Sequence, residues 1–551
     1  MKIGRWLLII FGVLIIIGVV GYIYLDELAE DYAKTSLDEI LKNDPDPLYD
    51  YSYGDLKINL AKGDLTIIDI VISPKRAALD SLHSGGLKVL VEASIDKITI
   101  AGFEIMEFFN EGTLDINKIL VLDPKVNYLV NSSVKKVGNS LVINDILSDD
   151  LRTATVGQIL IDNASIEWSD VQDLAPKLMM DSVYVEFDSI YVDSVTLLEP
   201  FAFKFSEARF EARLYDQELS ELYRAKAEKI YLDYQKNILI IQGPELVPTK
   251  GKYNYGEVTK TETDLFSMKG KSIEIEGFVS GSFAEKGLLI IPKIHLNGID
   301  LDIFRDKHLP DPPFKKIPLP ATLINGIPLP ILVDSIFLNN CSVSSAQLDT
   351  LNDKAGTVFF KEMNGVITNL TNDSVFIVQN NIMEVNTTAL FMDKGSMNAH
   401  MSFILDSPYD QFHMTARLGQ MDAKTISPVL DSLLLIRITS GKIHSLSMDI
   451  NGNDDHAVGT MDFRYENLKI DILSLKHERQ SNWLLKTIAN TVIRSSNISG
   501  QKNFKIGSIE TDRRKDRAIF NFLWKATKSG LLSTSTPIKG AKKSNKSKKK
   551  K

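Results

Sequence analysis

The sequence predicts a mainly β protein: an N-terminal transmembrane helix, then an elongated, curved antiparallel β-sheet groove of repeats, with amphipathic helices near the C-terminus. Three observations lead there. Twenty uncharged residues lie near the start, short alternating segments separated by turn residues fill positions 50 to 475, and one spacing of apolar residues recurs along that body. The chain has 551 residues, 44% apolar and 24% charged, which is too apolar for general disorder and long enough for several domains or one repetitive body.

The first element is "WLLIIFGVLIIIGVVGYIYL", residues 6–25, which matches the length a helix needs to cross a bilayer core. Lys2 and Arg5 precede it, and Asp26, Glu27, Glu30 and Asp31 follow, so the expected topology is a cytoplasmic N-terminus with everything after residue 26 outside. Trp6, Tyr22 and Tyr24 stand where interfacial aromatics belong. A cleaved signal peptide is the rival reading, but the apolar stretch is longer than a usual h-region and no A-x-A-like site follows it. Residues 27–42, "ELAEDYAKTSLDEILK", then read as a helix leaving the membrane.

The body repeats a turn residue at position 0 with apolar residues at +2, +4, +7 and +9. Gly63, Gly112, Gly157 and Gly287 each head a copy, the second being "GTLDINKILVLDP". If Asp or Asn may take the first place, since both tolerate a left-handed turn, Asp188, Asn237 and Asp334 head three more. The seven starts are 49, 45, 31, 49, 50 and 47 residues apart, the kind of period that marks a repeat architecture. About one strict copy is expected by chance against four found, and about four relaxed copies against seven.

Side chains alternate faces along a strand, so the slip from +4 to +7 would throw the second apolar pair onto the opposite face. Two readings meet this. Either an extra residue is taken up as a β-bulge that restores parity and bends the strand, or each copy is two short strands joined by a tight corner.

Residues 304–330, "FRDKHLPDPPFKKIPLPATLINGIPLP", lack backbone donors at their prolines and read as a crossing and the internal boundary, with a polyproline ligand as the alternative. The one cysteine, Cys341, excludes internal disulfides and lies in an alternating stretch as a small strand hydrophobe. Near the C-terminus, Ser481 caps "NWLLKTIANTVIR", and 518–532 place Phe520, Leu523, Trp524, Thr527 and Leu531 at helical spacing, a face that packs on its own protein or docks on a membrane or partner. Net charge is −8, and −15 without Lys542, Lys543, Lys546 and 548–551. That tail is either a solvated end or a contact for anionic head groups; an acidic body with one basic tip does not suit nucleic acid.

Catalytic and metal signatures are missing from the sequence: eight scattered histidines, no H-E-x-x-H, no Cys pair, no G-x-S-x-G and no phosphate loop. The expectation is a non-enzyme with no cofactor and no metal. N-x-[ST] triplets, among them those at Asn131, Asn163, Asn369, Asn372, Asn386 and Asn497, are as many as chance provides.

The order of these segments resembles the AsmA-like envelope proteins, above all those of Bacteroidota: the short start and single span, "DLKINLAKGDLTIIDIVISP" soon after, "IDLDIFRDKHLP" with "LVDSIFLNNCSVS" in the middle, and "RRKDRAIFNFLWKATKSGLLST" at the end. The likeness covers nearly the whole chain. It departs at "SVSSAQL" after Cys341, where relatives carry an aromatic and an acidic residue, and the lysine run is peculiar to this sequence. The resemblance implies a repeating β-groove akin to chorein-type bridge proteins, anchored in the inner membrane, projecting into the periplasm and linked to phospholipid movement and outer-membrane biogenesis. It brings no catalytic residues.

The expected organisation is a stub and span (1–26), an exit helix and linker (27–49), a first groove segment (50–303), the Pro-rich crossing (304–330), a second groove segment (331–480), a helical segment (481–532) and a disordered Lys-rich tail (533–551). The expected function is binding and transfer of phospholipid along the groove. The expected lipid-binding residues are Leu65, Ile67, Ile70, Leu114, Ile116, Ile119, Ile190, Val192, Leu289, Ile291, Ile294, Ile336 and Leu338. The alternative is a non-enzymatic envelope scaffold that assists outer-membrane protein assembly and holds partners through its C-terminal helices.

Overall fold

The computed structural model describes residues 34–35, 48–59, 62–104, 113–134, 153–173, 175–193, 195–196, 203–279, 287–350, 354–473 and 493–536. The candidate span 6–25, most of the exit helix 27–42, nearly all of the stretch 481–493 and most of the tail 533–551 lie outside them. Among the described residues no helix is long and apolar enough to cross a membrane. The structure is mainly β, and the chain divides into two compact units, 1–249 with 269–288, and 250–268 with 289–551. The division falls around residues 249–289, and the Pro-rich stretch 304–330 lies inside the second unit.

The first unit opens with β1 (Tyr49–Ser52) and β2 (Asp55–Asn59), which both pair with β3 (Asp64–Pro74). Helix α1 (Arg76–Ser84) follows, closed by Gly85 in the left-handed conformation. Next come β4 (Val89–Phe103), β5 (Thr113–Leu122), β6 (Lys125–Val130), β7 (Thr153–Asp170), β8 (Pro176–Asp193), β9 (Glu207–Ser220), β10 (Tyr223–Asp233), β11 (Ile238–Gln242) and β12 (Glu245–Pro248). Pairing follows chain order and is antiparallel, except that β5 and β6 run parallel to β7. The pair β5 and β6 is one line of strand broken at Asp123 and Pro124, since β4 on one side and β7 on the other each pair with both halves.

The second unit holds most of β13 (Asp264–Lys269), whereas β14 (Ser272–Glu276) pairs with β11 in the first. Strands β15 (Leu289–Asn297) and β16 (Asp300–Asp306) repeat the broken-strand device, both running parallel to β17 (Ile331–Leu348). The Pro-rich stretch is the return of that parallel crossover, and it contains helix α2 (Pro320–Asn325), with Pro320 at a helix start where a missing amide costs nothing. Antiparallel pairing continues through β18 (Gly356–Thr371), helix α3 (Ser374–Gln379), β19 (Ile382–Phe391), β20 (Gly395–Ile404), β21 (Phe412–Leu418), β22 (Met421–Asp422), helix α4 (Ser427–Leu434), β23 (Ile436–Gly452), β24 (His456–Ile472) and β25 (Gly507–Asp512). Strand β25 falls within the stretch 481–532 that was expected to be helical.

The slip in the repeat is a crease. Left-handed backbone occurs inside β3 at Asp69 (φ 53°), between β5 and β6 at Asp123 (φ 49°), and at Asn163 (φ 57°) of β7, Ser182 (φ 47°) of β8, Leu214 (φ 53°) of β9 and Gly243 (φ 57°) between β11 and β12. A second line passes Gly63 (φ 66°), Gly102 (φ 67°), Asn117, Gly157 and Ser189 (φ 52°), the Asn117 side chain filling the place a Gly102 Cβ would take. In the second unit Gly298 (φ 57°), Asn340 (φ 52°) and Glu362 (φ 49°) do the same, with register shifts on either side of Cys341. Both readings of the slip occur: a continuous creased strand in the copies headed by Gly63, Gly112, Gly157, Gly287 and Asp334, and two strands joined at Gly243 and Pro244 in the copy headed by Asn237. The Asp188 copy is neither. Asp193 accepts from the amides of Val195 at 2.9 Å and Thr196 at 2.7 Å, an Asp turn that ends the strand and leaves Val195 62% exposed.

The C-terminal helix α5 (Ile519–Ser535) packs on β24 and β25 with only part of the expected face: Leu523 and Leu531 pack against the core and Thr527 donates to Met448 Sδ, but Phe520 and Trp524 turn outward. Phe522, Ala526, Gly530 and Thr534 are buried, whereas Phe520 is 67% and Trp524 41% exposed. Small residues win this face because a Cβ on Gly530 would lie 2.8 Å from Met461 Cε and 2.9 Å from Ile509 Cγ1. Just before α5, the Arg-rich run forms a buried ionic knot. Arg517 donates to both Glu262 oxygens at 2.9 and 3.2 Å, Arg305 reaches Glu262 at 3.2 Å and Asp264 at 2.6 Å, and Arg513 bonds Asp454 and the Ile317 carbonyl.

Two stability outcomes follow. Gly63→Ala places a Cβ against the Phe103 backbone at positive φ, and is expected to cost at least about 1 kcal/mol in urea unfolding. Arg517→Met leaves a buried carboxylate with half its partners and is expected to cost about 3–5 kcal/mol, with recovery in the double variant Arg517→Met, Glu262→Gln.

Candidate functional site: the apolar strand face

Cross-strand register in the first unit lines up apolar side chains without interruption. One row runs Leu56, Ile67, Ile98, Val121, Ile161, Val185, Phe210, Leu232, Leu239 and Ile275, one residue from each of ten strands. Beside it lies Ile58, Leu65, Ile100, Ile119, Ile159, Phe187 and Ala208, then Phe103, Ile116, Val156 and Ile190, then Leu114, Ala154 and Val192. The creases keep these rows on one face, since Leu65, Ile67 and Ile70 in β3, and Leu114, Ile116 and Ile119 in β5, share one cluster in spite of their slips.

The structure therefore brings the first-unit residues expected to bind lipid together on one wall. Leu65, Ile67, Ile70, Leu114, Ile116 and Ile190 are buried among themselves and their neighbours, while Ile119 and Val192 are half-buried. The long row is graded. Leu56 and Ile67 are buried, and the other eight, from Ile98 to Ile275, are all half-buried.

In the second unit Ile294, Ile336, Ile367, Val385, Met401, Met414, Ile450, Gly459 and Ile509 form the corresponding row. Its first five residues are half-buried, whereas Met414, Ile450 and Ile509 are buried in one core cluster with Phe522 and Ala526 of α5, Ala321 and Ile324 of α2, and Ala423. Leu296 and Leu338 stand opposite one another two places along, as do Leu289 with Ile331 and Ile291 with Val333. Of the expected residues here, Ile291 is buried and Leu289, Ile294, Ile336 and Leu338 are half-buried.

None of the eight residues from Ile98 to Ile275 was among those expected to bind lipid, and Phe210, Leu232 and Ile275 fell outside the repeat pattern altogether. Their signal is plain alternation in "ARFEARL", "KIYLDY" and "SIEIEG", where charged neighbours hide an apolar face.

The opposite face of the first unit is charged and self-neutralised. Arg209 meets Glu186 at 3.1 Å, Lys229 meets Glu211 at 2.8 Å, and Asp216 lies between Arg224 at 2.7 Å and Lys226 at 3.0 Å. Burial raises the Asp216 pKa, but hydrogen bonds from Arg224 and Lys226 outweigh it and hold the carboxyl below its usual range. A hydrogen bond from Lys229 lowers Glu211 likewise. Among the described residues no three His, Cys, Asp or Glu side chains are grouped to hold a metal. Among the N-x-[ST] asparagines, Asn131 and Asn497 are buried and structural: Asn131 donates to the Leu82 carbonyl at 2.8 Å and Asn497 to the Phe463 carbonyl at 2.7 Å. No protein-family model and no curated protein matches the chain.

Because the folded Asp216 pKa is lowered, its contribution to stability is complete above the unfolded value near pH 4 and is lost as pH falls through the folded value. Asp216→Asn should lower the thermal midpoint at pH 7, with the difference from the parent shrinking below about pH 4 in a pH series of melts.

Proposed function

We propose that the protein binds phospholipid acyl chains on this wall and transfers lipid along it, held by residues 6–25 in the inner membrane with its body in the periplasm. The observation that carries the reading is the row from Ile98 to Ile275, eight apolar side chains on eight successive strand lines that the chain leaves half-covered. With strands about 4.8 Å apart, they extend over roughly 35 Å. Monomeric proteins rarely keep so long an apolar strip against water, and acyl chains gain about 0.8 kcal/mol per CH₂ by covering it. Movement along the row needs no catalytic group, because neighbouring sites are chemically alike and a chain can slide between them.

The test must use half-buried positions. Ile116 and Ile291, 3% and 5% exposed, are packed in the interior, so a charge there would unfold the sheet. Leu232→Glu and Leu239→Glu instead put a carboxylate in the strip. The expected outcome is a folded protein that copurifies with less phospholipid by mass spectrometry and exchanges fluorescent lipid between vesicles at least about tenfold more slowly. Parent protein free of lipid, or variants with unchanged exchange, would refute the reading.

A second reading, the envelope scaffold, draws support from Phe520 and Trp524, exposed one helical turn apart on α5. It expects Phe520→Ser with Trp524→Ser to lose bound partner proteins while lipid exchange stays intact.

A further inference from the structure

We propose that the polar face of the second unit's sheet carries a separate binding site for an acidic sugar, a ring with several hydroxyls and a carboxylate, held by Asn386, Asn398, His400, Thr415 and Arg417. These residues alternate with Val385, Ala399, Met401, Met414 and Ala416 of the apolar core, and so project from the other side of β19, β20 and β21. Register sets them in two adjacent rows: Val366, Asn386, His400 and Thr415, and beside them Asn364, Thr388, Asn398 and Arg417. They line an open concavity of about 530 Å³, within the roughly 300–1,000 Å³ of small-molecule sites.

The composition is not that of an ordinary solvated strand face. Asparagine is depleted in strands, yet Asn364, Asn386 and Asn398 converge on this one depression. The charged face of the first unit satisfies itself through cross-strand ion pairs, whereas the side chains of Asn386, Asn398, Thr415 and Arg417 have no hydrogen-bond or ionic partner among the described residues. Their donors and acceptors are turned outward around the same space.

The chemistry suits one class of ligand. Each carboxamide presents a donor and an acceptor side by side, which matches neighbouring hydroxyls that both donate and accept. Thr415 adds a hydroxyl, and His400, 3.9 Å from Glu384, adds a ring nitrogen. Arg417 offers a planar fork that fits a carboxylate bidentately. Asn386 on β19 and Arg417 on β21 flank β20 at about one strand spacing each, so a ring seated over Asn398 and His400 has the carboxamides beside it and Arg417 within reach of its carboxylate.

The experiment titrates the full-length chain in detergent with D-glucuronate, D-glucose and acetate, read by saturation-transfer NMR and calorimetry. Saturable glucuronate binding below about 10 mM is expected, with glucose and acetate each at least about tenfold weaker. Arg417→Ala should lose about tenfold or more, Arg417→Lys should keep part of the affinity, and Asn386→Ala with Asn398→Ala should weaken glucuronate and glucose alike. All are exposed positions whose replacement leaves the sheet folded. Acetate binding as well as glucuronate, glucose binding as well as glucuronate, the absence of saturable glucuronate binding, or indifference to Arg417→Ala would each overturn the proposal.

Discussion

The parity of the β-strand is the constraint on which the rest of this structure depends. A strand that keeps one apolar face over eighteen residues while bending must somewhere insert an odd residue, or half its side chains end on the wrong side. The chain meets this with left-handed residues at matching places in successive strands. Such backbone costs about 1–2 kcal/mol at Ser182 or Leu214, where no glycine relieves it. Turning even two buried aliphatic side chains out to water costs more, about 1.5–3 kcal/mol each, so the crease is the cheaper arrangement. Strands share the crease because each has to match its neighbour's register to keep the ladder of hydrogen bonds.

The two units use the same creased sheet and differ in what lies over its apolar face. In the first, Leu56, Leu65, Ile67 and Ile70 are buried near the first strands, and the row from Ile98 to Ile275 is half-buried. In the second, α5 closes the face over β21 to β25 while α2 packs against β18 and β20, with Gly530 allowing the α5 backbone close to Met461 and Ile509. The knot of Arg513 and Arg517 with Asp454 and Glu262 fixes the start of that helical cover. A sheet that is sealed at some strands and half-open at others carries its own packing core and still leaves apolar surface for another occupant.

Much of this is legible in the spacing of residues. The repeat headed by Gly63, Gly112 and Gly157 marks creased strands, because the crease preserves a face and the face must be apolar. Phe210, Leu232 and Ile275 were not legible: simple alternation between charges says that one side is apolar, but not which strands it meets. The Asp188 copy misleads for a local reason, since Asp193 captures the next amides and turns the chain before the second apolar pair is reached. On α5, bulk suggested Phe520 and Trp524, yet contact distance favoured Ala526 and Gly530.

The sequence by itself determined the class of structure, several bending points of its strands and part of the wall, such as Leu65, Ile67, Leu114 and Ile116, because alternation and turn chemistry act over a few neighbouring positions. Only the tertiary structure decided the register that joins ten strands into one apolar row, the sealing of part of the second unit by helices, and the gathering of Asn386, Asn398 and Arg417 on the reverse face. Those outcomes depend on pairing between residues far apart in the chain, and pairing is settled by the packing of whole faces against one another.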